Sequence, residues 1–458
     1  MSGPRSVAGG EPVSGAENGG GPANGAVTEY WCEHAWLPGG VAEGVGVDVS
    51  GGVIVAVEPG RPRRGRTLPG LTLPGMANAH SHAFHRALRG RTHGDRGTFW
   101  TWREQMYRLA ERLDPDSYYR LARAVYAEMV LAGYTSVGEF HYLHHGPGGQ
   151  RYDDPNAMSA ALVAAAADAG IRICLLDTCY LAGGQDTPLD GVQLRFGDGD
   201  ADGWASRAGE FRPAGEHVVV GAAAHSVRAV PAAQLPAVAE WAAGRPLHIH
   251  LSEQRAENDD CLRVHGVTPT ALLARHGVLT ERTTAVHATH LTDDDMSTLG
   301  VSGTRACFCP TTERDLGDGI GPASALTAAG VRLCLGSDSH AVVDAFEEAR
   351  ALELNERLAA EARGRFDVAE LLAAATDHGA IGFDDVGRIE PGGQADLVTV
   401  RLDSVRTAGA APDGVLLAAT GADLTDVLVA GRPVVSDGVH TRVERPAAEL
   451  AAEIGKLL

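Results

Sequence analysis

Short apolar, β-rich runs recur along the middle of the chain, and helical stretches rich in Ala and Leu precede several of them. Eight such runs begin near residues 71, 134, 171, 217, 246, 284, 304 and 331. "MSAALVAAAADAG" precedes the run near 171, and "PAVAEWAAG" precedes the run near 246. Strands that alternate with helices are typical of βα units in a parallel sheet. Eight units predict a closed, TIM-like (β/α)₈ barrel in the α/β class, with its chemistry at the C-terminal ends of the strands.

The two ends of the chain have a different, β-rich texture. "VGVDVSGGVIVAVEPG" predicts a hairpin, and "GRIEPGGQADLVTVRL" and "DVLVAGRPVVSDGVH" predict further short strands late in the chain. We therefore expect a small β-sandwich domain formed from residues 28–73 and 388–441, flanking a barrel over 74–387. A C-terminal helix is expected over 442–458. Residues 1–27 are Gly, Ala, Pro and Ser with few large apolar side chains, which predicts a disordered tail.

Charge and cysteine usage exclude several classes of protein. The net charge of −20 argues against nucleic-acid binding, which needs a basic face for phosphates. The sequence has no run of 18 apolar residues and no signal-peptide core, so neither a membrane span nor secretion is expected. Seven scattered cysteines, an odd number without zinc-knuckle spacing, indicate a reduced, cytoplasmic protein. "CFC" at 307–309 is interpreted as part of a buried strand.

The single lysine, Lys456, lies two residues from the C-terminal residue Leu458. A P-loop needs an internal lysine, and a pyridoxal phosphate enzyme needs a Schiff-base lysine. Both classes are therefore excluded, and any anion site must be built from arginine.

Histidine, acidic and other polar residues collect where the predicted strands end. A surface or chance origin would explain any one of them, but a barrel brings all of its strand ends together. The residues at these ends are His80, His82, His141, Tyr142, His225, Arg228, His248, His250, Glu253, His287, His290, Asp338 and His340.

The pair His80 and His82 has the spacing of a metal-binding strand. Side chains at positions i and i+2 of a strand face the same way, so two imidazoles can reach one ion. The pair is weak evidence alone, but "LHIHLSE" adds a third histidine and "LGSDSH" adds a carboxylate. Three His and one Asp are a ligand set for a catalytic zinc ion with an open position.

These motifs resemble the amidohydrolase superfamily over nearly the whole chain. "PGMANAHSH" is similar to its first-strand motif, and the split β domain and "GGQADLV" are typical of it. The resemblance implies that His287 lies near the metal, whereas we assign His248 a packing role. It also implies four zinc ligands, namely His80, His82, His250 and Asp338.

The resemblance also implies a mononuclear deaminase. Binuclear members commonly bridge two metals with a carboxylated lysine, and no internal lysine is available here, although a bridging Glu remains open. One zinc ion per chain is therefore expected. Members with the pattern "HIHxxE" are mostly deaminases, in which the Glu, here Glu253, passes a proton to the leaving nitrogen. Asp338 would accept the proton of the attacking water, and His287 would orient the reacting groups.

Two arginines, Arg103 in "FWTWREQMYR" and Arg228 in "HSVRAV", indicate the substrate class. Each alone would be interpreted as a helix-surface or capping charge. Two arginines near the mouth of a metal site instead favour bidentate recognition of carboxylates.

The longer stretches, in their order and spacing, resemble the formimidoylglutamate deiminase family. That resemblance implies that Arg103, Tyr142, His225 and Arg228 hold the two carboxylates of a glutamate moiety. His85 stands where the family pattern has Gln; both donate hydrogen bonds, so His85 is kept as a substrate-binding residue. The implied reaction converts N-formimino-L-glutamate to N-formyl-L-glutamate and ammonia in histidine degradation, and a cytoplasmic homodimer is expected.

Two alternatives stay open. Another amidohydrolase deaminase would act on a purine-like ring or on a guanidino or amidine group, with a poorly charged, aromatic pocket. A non-catalytic barrel scaffold would have lost metal ligands, whereas all four candidates are present here.

Overall fold

The computed structural model describes residues 26–93, 99–185 and 187–458. Residues 1–25, most of the predicted tail, lie outside the described residues. The strands are β1 (Thr28–Leu37), β2 (Gly40–Ser50), β3 (Val53–Glu58), β4 (Arg66–Pro74), β5 (Met76–Ser81), β6 (Tyr134–His141), β7 (Arg172–Cys179), β8 (Val218–Ser226), β9 (Leu247–Leu251), β10 (Thr283–His287), β11 (Arg305–Phe308), β12 (Leu333–Leu335), β13 (Leu397–Val400), β14 (Leu424–Val429), β15 (Arg432–Ser436) and β16 (Val439–His440).

The α-helices mostly lie between the barrel strands. They are α1 (Phe99–Ala110), α2 (Pro115–Leu131), α3 (Ala157–Ala169), α4 (Ala201–Glu210), α5 (Leu235–Trp241), α6 (Arg255–His265), α7 (Pro269–Arg275), α8 (Asp293–Ser302), α9 (Pro310–Leu316), α10 (Ala323–Ala328), α11 (Ala345–Ala360), α12 (Val368–Ala375) and α13 (Pro446–Leu457). Within the described ranges, none of these helices is both long and apolar enough to cross a membrane.

Strands β5 to β12 form one parallel sheet in chain order, and the sheet closes on itself. The backbone N–H groups of Ser337 and Asp338, just after β12, donate to the carbonyl oxygen of His80 at 3.1 and 3.0 Å. The side chain of Asn78 adds hydrogen bonds of 2.7 and 2.9 Å to Ser337. The predicted barrel is confirmed, and its closure sets the end of β5 against Asp338.

The run predicted near residue 71 divides into two strands. β4 ends at Pro74 and belongs to the sheet of the chain ends, whereas β5 starts at Met76 and belongs to the barrel. Gly75 separates them, and a side chain at this position would meet the hydroxyl oxygen of Thr135 at 2.4 Å. The close approach of two segments therefore requires glycine at the crossing between domains.

The chain ends form a second sheet with the order β16-β15-β14-β13-β4-β1-β2-β3. β4 joins the two ends because it pairs with β13 antiparallel and with β1 parallel. The hairpin of β2 and β3 turns at Gly51 and Gly52, whose φ values are +60° and +90°. This small domain has its own apolar core, and its origin in both chain ends is confirmed.

An ion pair fixes the small domain to the barrel. Arg172 at the start of β7 donates to Asp396 at 2.9 Å, and both side chains are buried. Asp396 lies in the "GGQADLV" stretch, and its carbonyl oxygen also accepts the N–H of Gly75 at 2.8 Å. All seven cysteines are free and buried, and Cys307 lies within β11.

Candidate active site

The four predicted metal ligands meet at the C-terminal end of the barrel. Nε2 of His80 and Nε2 of His82 each lie 3.3 Å from Oδ1 of Asp338. Nε2 of His250 lies 3.2 Å from Nε2 of His80. β5 and the residue that follows it, β9 and the loop after β12 supply these side chains, so closure of the barrel creates the cluster.

Backbone carbonyls orient two of these imidazoles. Nδ1 of His82 is 2.9 Å from the carbonyl oxygen of Phe140, and Nδ1 of His250 is 2.9 Å from that of His225. A carbonyl only accepts, so each Nδ1 carries the hydrogen and each Nε2 presents a lone pair to the cluster. Burial lowers the pKa of His80 to about 3 and also lowers the pKa values of His82 and His250. The histidines are therefore neutral, which is the form that binds metal.

The donor set fits a divalent metal ion. The lone pair on Nε2 of His250 lies 3.2 Å from Nε2 of His80, and a carboxylate beside these nitrogens adds the negative charge that a cation requires. Burial alone would raise the pKa of Asp338, but the hydrogen bond with His80 and the neighbouring histidines hold it well below its usual range. Asp338 is therefore an ionised member of the cluster.

The backbone is strained around the cluster. Among the described residues, eight non-glycine residues have positive φ, and five of them follow or end β9, β10 and β12. The five are Ser252, His287, Ala288, Asp338 and His340, with φ values of 52°, 68°, 48°, 38° and 60°. Left-handed conformations of this kind cost free energy and gather at functional sites.

His287 faces the cluster with one ring nitrogen and a buried carboxylate with the other. Its Nε2 is 3.9 Å from Oε1 of Glu253 and 3.9 Å from Oδ2 of Asp338, and its Nδ1 is 3.4 Å from Oε1 of Glu313. The N–H of Cys309 holds that Glu313 oxygen at 2.8 Å. Burial would lower the pKa of His287, but the surrounding carboxylates raise it to about 10. Glu313 was not predicted from the sequence, where its only signal is an acid five residues after the end of the seventh barrel strand, β11.

A cavity of about 570 Å³, counted to its open mouth, leads to the cluster. The five predicted substrate-binding residues all line it: His85, Arg103, Tyr142, His225 and Arg228. Nε2 of His85 and the hydroxyl of Tyr142 share a hydrogen bond of 2.9 Å. The guanidinium of Arg103 lies over the ring of Tyr107, 5.4 Å from its centroid. The cavity also has an aromatic lining that was not predicted from the sequence, and it includes Trp102, Tyr107, Tyr180 and Phe196.

Several strand-end histidines pack away from the cavity. His248 bonds the carbonyl oxygen of Ala380 at 2.9 Å, in keeping with the packing role assigned to it. His340 bonds the hydroxyl of Ser81 at 3.0 Å, and His141 packs its ring 4.9 Å from that of His144. These residues brace the strand ends but do not line the cavity.

The sequence profile of the amidohydrolase family matches residues 71–434. The chain belongs to the amidohydrolase family. A formimidoylglutamate deiminase of Pseudomonas aeruginosa is 38% identical to this amidohydrolase over 455 residues, which is 94% of this chain and 100% of that protein.

Two solved structures share the fold of this amidohydrolase. An amidohydrolase from Brucella melitensis superposes with a TM-score of 0.87 at 32% identity, over 94% of this chain and 99% of its own. An adenosine deaminase from Xanthomonas campestris with bound zinc superposes with a TM-score of 0.82 at 27% identity, over 95% of this chain and 98% of its own. The His and Asp cluster thus lies in a fold in which a relative binds metal.

Proposed function

We propose that this amidohydrolase hydrolyses N-formimino-L-glutamate to N-formyl-L-glutamate and ammonia. The observation that carries the proposal is the cavity in which Arg103 and Arg228 share the lining with Glu253 and the metal-ligand cluster. Cationic groups suit the carboxylates of a glutamate moiety, and the ligand cluster suits hydrolysis of a C–N bond. Similarity to the Pseudomonas aeruginosa formimidoylglutamate deiminase supports the same substrate.

We further assign one zinc ion per chain to His80, His82, His250 and Asp338. His287 is an alternative fourth ligand by proximity, because its nitrogen and those of His80 and His250 lie within 4.8 Å of Asp338 and of one another. The shorter distance of His82 to Asp338, 3.3 against 3.9 Å, favours His82. When bound, a divalent ion supplies Lewis-acid activation of water at neutral pH.

Different side chains around the cluster carry out the separate proton transfers of the reaction. Oδ2 of Asp338 accepts a proton from the attacking water, and Nε2 of His287, 3.9 Å away, orients that exchange. Burial raises the pKa of Glu253, which suits a carboxyl group that carries a proton to the leaving nitrogen. Glu253 is ionised before reaction and favours the cationic amidine; it then receives, by way of His287, the proton that the water gave to Asp338 and passes it to the leaving nitrogen.

The carboxylate end of the substrate is assigned to five side chains that line the cavity. Arg103 and Arg228 provide the charge, while Tyr142, His225 and His85 provide neutral hydrogen-bonding groups. Burial, followed by the charge of Arg228, lowers the pKa of His225 well below its ordinary value, so this histidine binds as a neutral group.

The aromatic lining favours a second candidate function, deamination of a purine-like ring. Trp102, Tyr107, Tyr180 and Phe196 offer faces for a heterocycle, and an adenosine deaminase shares the fold. Two arginines beside the same cavity favour the diacid over an uncharged ring.

Ammonia release by the purified, zinc-loaded protein tests the proposal. N-Formimino-L-glutamate, adenosine and guanine are compared at equal concentration in a coupled glutamate dehydrogenase assay. We expect turnover of the formimino compound only. Faster turnover of either purine would replace the proposed substrate, and no turnover of any would favour a scaffold.

A cytoplasmic homodimer is also proposed. Seven free, buried cysteines support a reducing compartment. Light scattering coupled to gel filtration tests the dimer, and a monomeric mass at micromolar concentration would reject it.

A further inference from the structure

Glu257 on α6 makes two hydrogen bonds that join separate parts of the site. Its Oε2 accepts from Nε of Arg228 at 2.8 Å, and its Oε1 accepts from the backbone N–H of Ser252 at 2.9 Å. The side chain is 1% exposed, so water does not replace either contact. Glu257 itself is not part of the cavity lining.

The first contact sets how Arg228 meets a ligand. In the part of the chain that the structure describes, Glu257 is the hydrogen-bond partner of the Arg228 guanidinium, and it uses only Nε. Arg228 also lines the cavity, so its Nη1 and Nη2 groups remain to bind a carboxylate in the bidentate geometry that arginine favours. A guanidinium that is held at Nε presents its Nη1 and Nη2 groups to the ligand in a single orientation.

The second contact fixes the loop that carries Glu253. Ser252 lies between His250 and Glu253 and has a φ of +52°, a conformation that needs support from its surroundings. The carboxylate of Glu257 supplies that support at the Ser252 N–H. The Glu257 side chain therefore fixes the position of Arg228, which binds the substrate carboxylate, relative to Glu253, which acts on the leaving nitrogen.

The charge of Glu257 also stabilises the buried, charged guanidinium of Arg228. Burial alone would lower the pKa of Arg228, but the adjacent Glu257 carboxylate raises it. An arginine with a permanent partner remains buried and oriented before the ligand arrives, which lowers the ordering cost of binding.

We propose that Glu257 is a positioning residue for dicarboxylate recognition, which holds Arg228 by Nε and the Glu253 loop by Ser252 so that a diacid binds in the reactive register. The inference rests on the proposed function. It predicts that the preference for a diacid over its mono-amides depends on a residue that does not touch the ligand.

The test measures binding of the reaction product and its mono-amides by calorimetry, with zinc-loaded protein. In Glu257→Gln the amide nitrogen cannot accept either N–H, so one of the two contacts is lost. We expect the Kd of N-formyl-L-glutamate to rise by about tenfold or more, in line with loss of a hydrogen bond to a charged group. The preference for N-formyl-L-glutamate over N-formyl-L-glutamine or N-formyl-L-isoglutamine should fall for at least one amide, and KM should rise more than kcat falls.

Glu353→Gln is the matched control. Glu353 is also buried and also joins an arginine, Arg357, to a backbone N–H, that of Phe366 at 2.7 Å, but it lies outside the cavity lining. The Glu353→Gln variant should be less stable than wild type but should keep the wild-type Kd and the wild-type preference for the diacid. If both variants keep the wild-type preference, or lose binding alike, the positioning role is wrong.

A double variant keeps the inference testable if Glu257→Gln alone does not fold. Removal of Arg228 takes away the carboxylate-binding group that Glu257 holds, so the preference for the diacid over its mono-amides should be no weaker in R228M/E257Q than in R228M. A further loss in the double variant would contradict the inference. If the wild-type protein binds no diacid, the proposed function itself fails, and with it this role.

Discussion

Oε1 of Glu313 lies 3.4 Å from Nδ1 of His287, while Nε2 of the same ring lies 3.9 Å from Oδ2 of Asp338. The buried carboxylate thus faces the side of the imidazole that points away from the ligand cluster. Nδ1 carries the hydrogen towards Glu313, which fixes the ring so that Nε2 serves the reacting groups. Since the N–H of Cys309 holds the same oxygen, the Glu313 carboxylate is itself fixed.

Glu313→Gln should therefore reduce turnover without loss of metal. The neutral amide orients the ring less strongly and no longer balances its positive charge. Partners that orient active-site histidines are worth about 10–100-fold in activity, so kcat should fall in that range. Steady-state kinetics and elemental analysis check this. Glu356→Gln removes a buried carboxylate that bonds Ser324 on α10, away from the cavity, and should leave kcat unchanged. Loss of zinc in Glu313→Gln would instead indicate a role in metal binding.

Metal content provides the second prediction. Three histidines, one aspartate and no internal lysine lead us to expect one zinc ion per chain after mild dialysis, measured by plasma mass spectrometry. Removal by a chelator should lower Tm, and zinc should restore it, because a ligand that binds only the folded state stabilises it. Two metal ions per chain would contradict a mononuclear site, and none would favour the scaffold alternative.

The ligand cluster was predictable because its signals are local or follow from topology. The period of two places His80 and His82 on one side of a strand, and closure of eight strands brings Asp338 to them. Glu257 and Glu313 were not predictable in this way. Each lies on a helix after a strand, and nothing in a helical sequence tells which acid turns towards a neighbouring loop. His141 had the right position in the sequence, but its ring points into a buried cluster with His144.

The features of the fold also divide into those that the sequence predicts and those that it does not. The strand and helix alternation predicted the barrel, and Gly-rich hairpins predicted the small domain. The division at Gly75 was missed because one apolar run crosses it without a change in composition. Only the close approach of Thr135 marks the place where one sheet ends and the other starts.

Arg228→Met and Arg103→Met should each weaken recognition of the substrate carboxylates. Loss of one partner of a buried charged pair costs ~2–5 kcal/mol, so kcat/KM should fall by more than about tenfold in each variant. Zinc content should not change. Arg228→Met should also lower Tm, because it leaves the Glu257 carboxylate buried without its cation. Near-normal kcat/KM in both variants would contradict a diacid pocket.

Low pH should lower the free energy of unfolding of the protein through protonation of Asp198. Burial alone would raise the pKa of Asp198, but the hydrogen bond with His145 at 2.9 Å and the charge of Arg207 lower it from 3.8 to about 2. A carboxyl whose folded pKa is depressed stabilises the fold above its unfolded pKa, and that stability is lost as pH falls through the folded value. The contribution, on the order of 2 kcal/mol, should thus be present at pH 5 and decline from about pH 4 towards 2.

Urea unfolding of wild type and Asp198→Asn across this pH range checks the prediction. Asn has no charge to lose, so the gap in unfolding free energy between the two proteins should narrow as pH falls. Asp153→Asn, at an exposed site, should show a small and constant gap. A gap for Asp198→Asn that stays constant with pH would show that its ionisation does not contribute.

The last prediction concerns which bond breaks. Attack on the formimino carbon gives a tetrahedral centre with a terminal nitrogen and the nitrogen of glutamate, and the leaving nitrogen is the one that the acid reaches. If Arg103 and Arg228 hold the glutamate end, the free NH₂ end meets Glu253, so ammonia and N-formyl-L-glutamate should form rather than formamide and glutamate. Glu253→Gln keeps the shape of the side chain, but the amide cannot transfer a proton to the leaving nitrogen. General acid–base catalysis is worth roughly 10²–10⁴-fold, so this variant should bind zinc normally and lose at least about a hundredfold in kcat. NMR identifies the products directly. Formamide as the main product, or an almost fully active Glu253→Gln, would overturn both the orientation of the substrate and the role of Glu253.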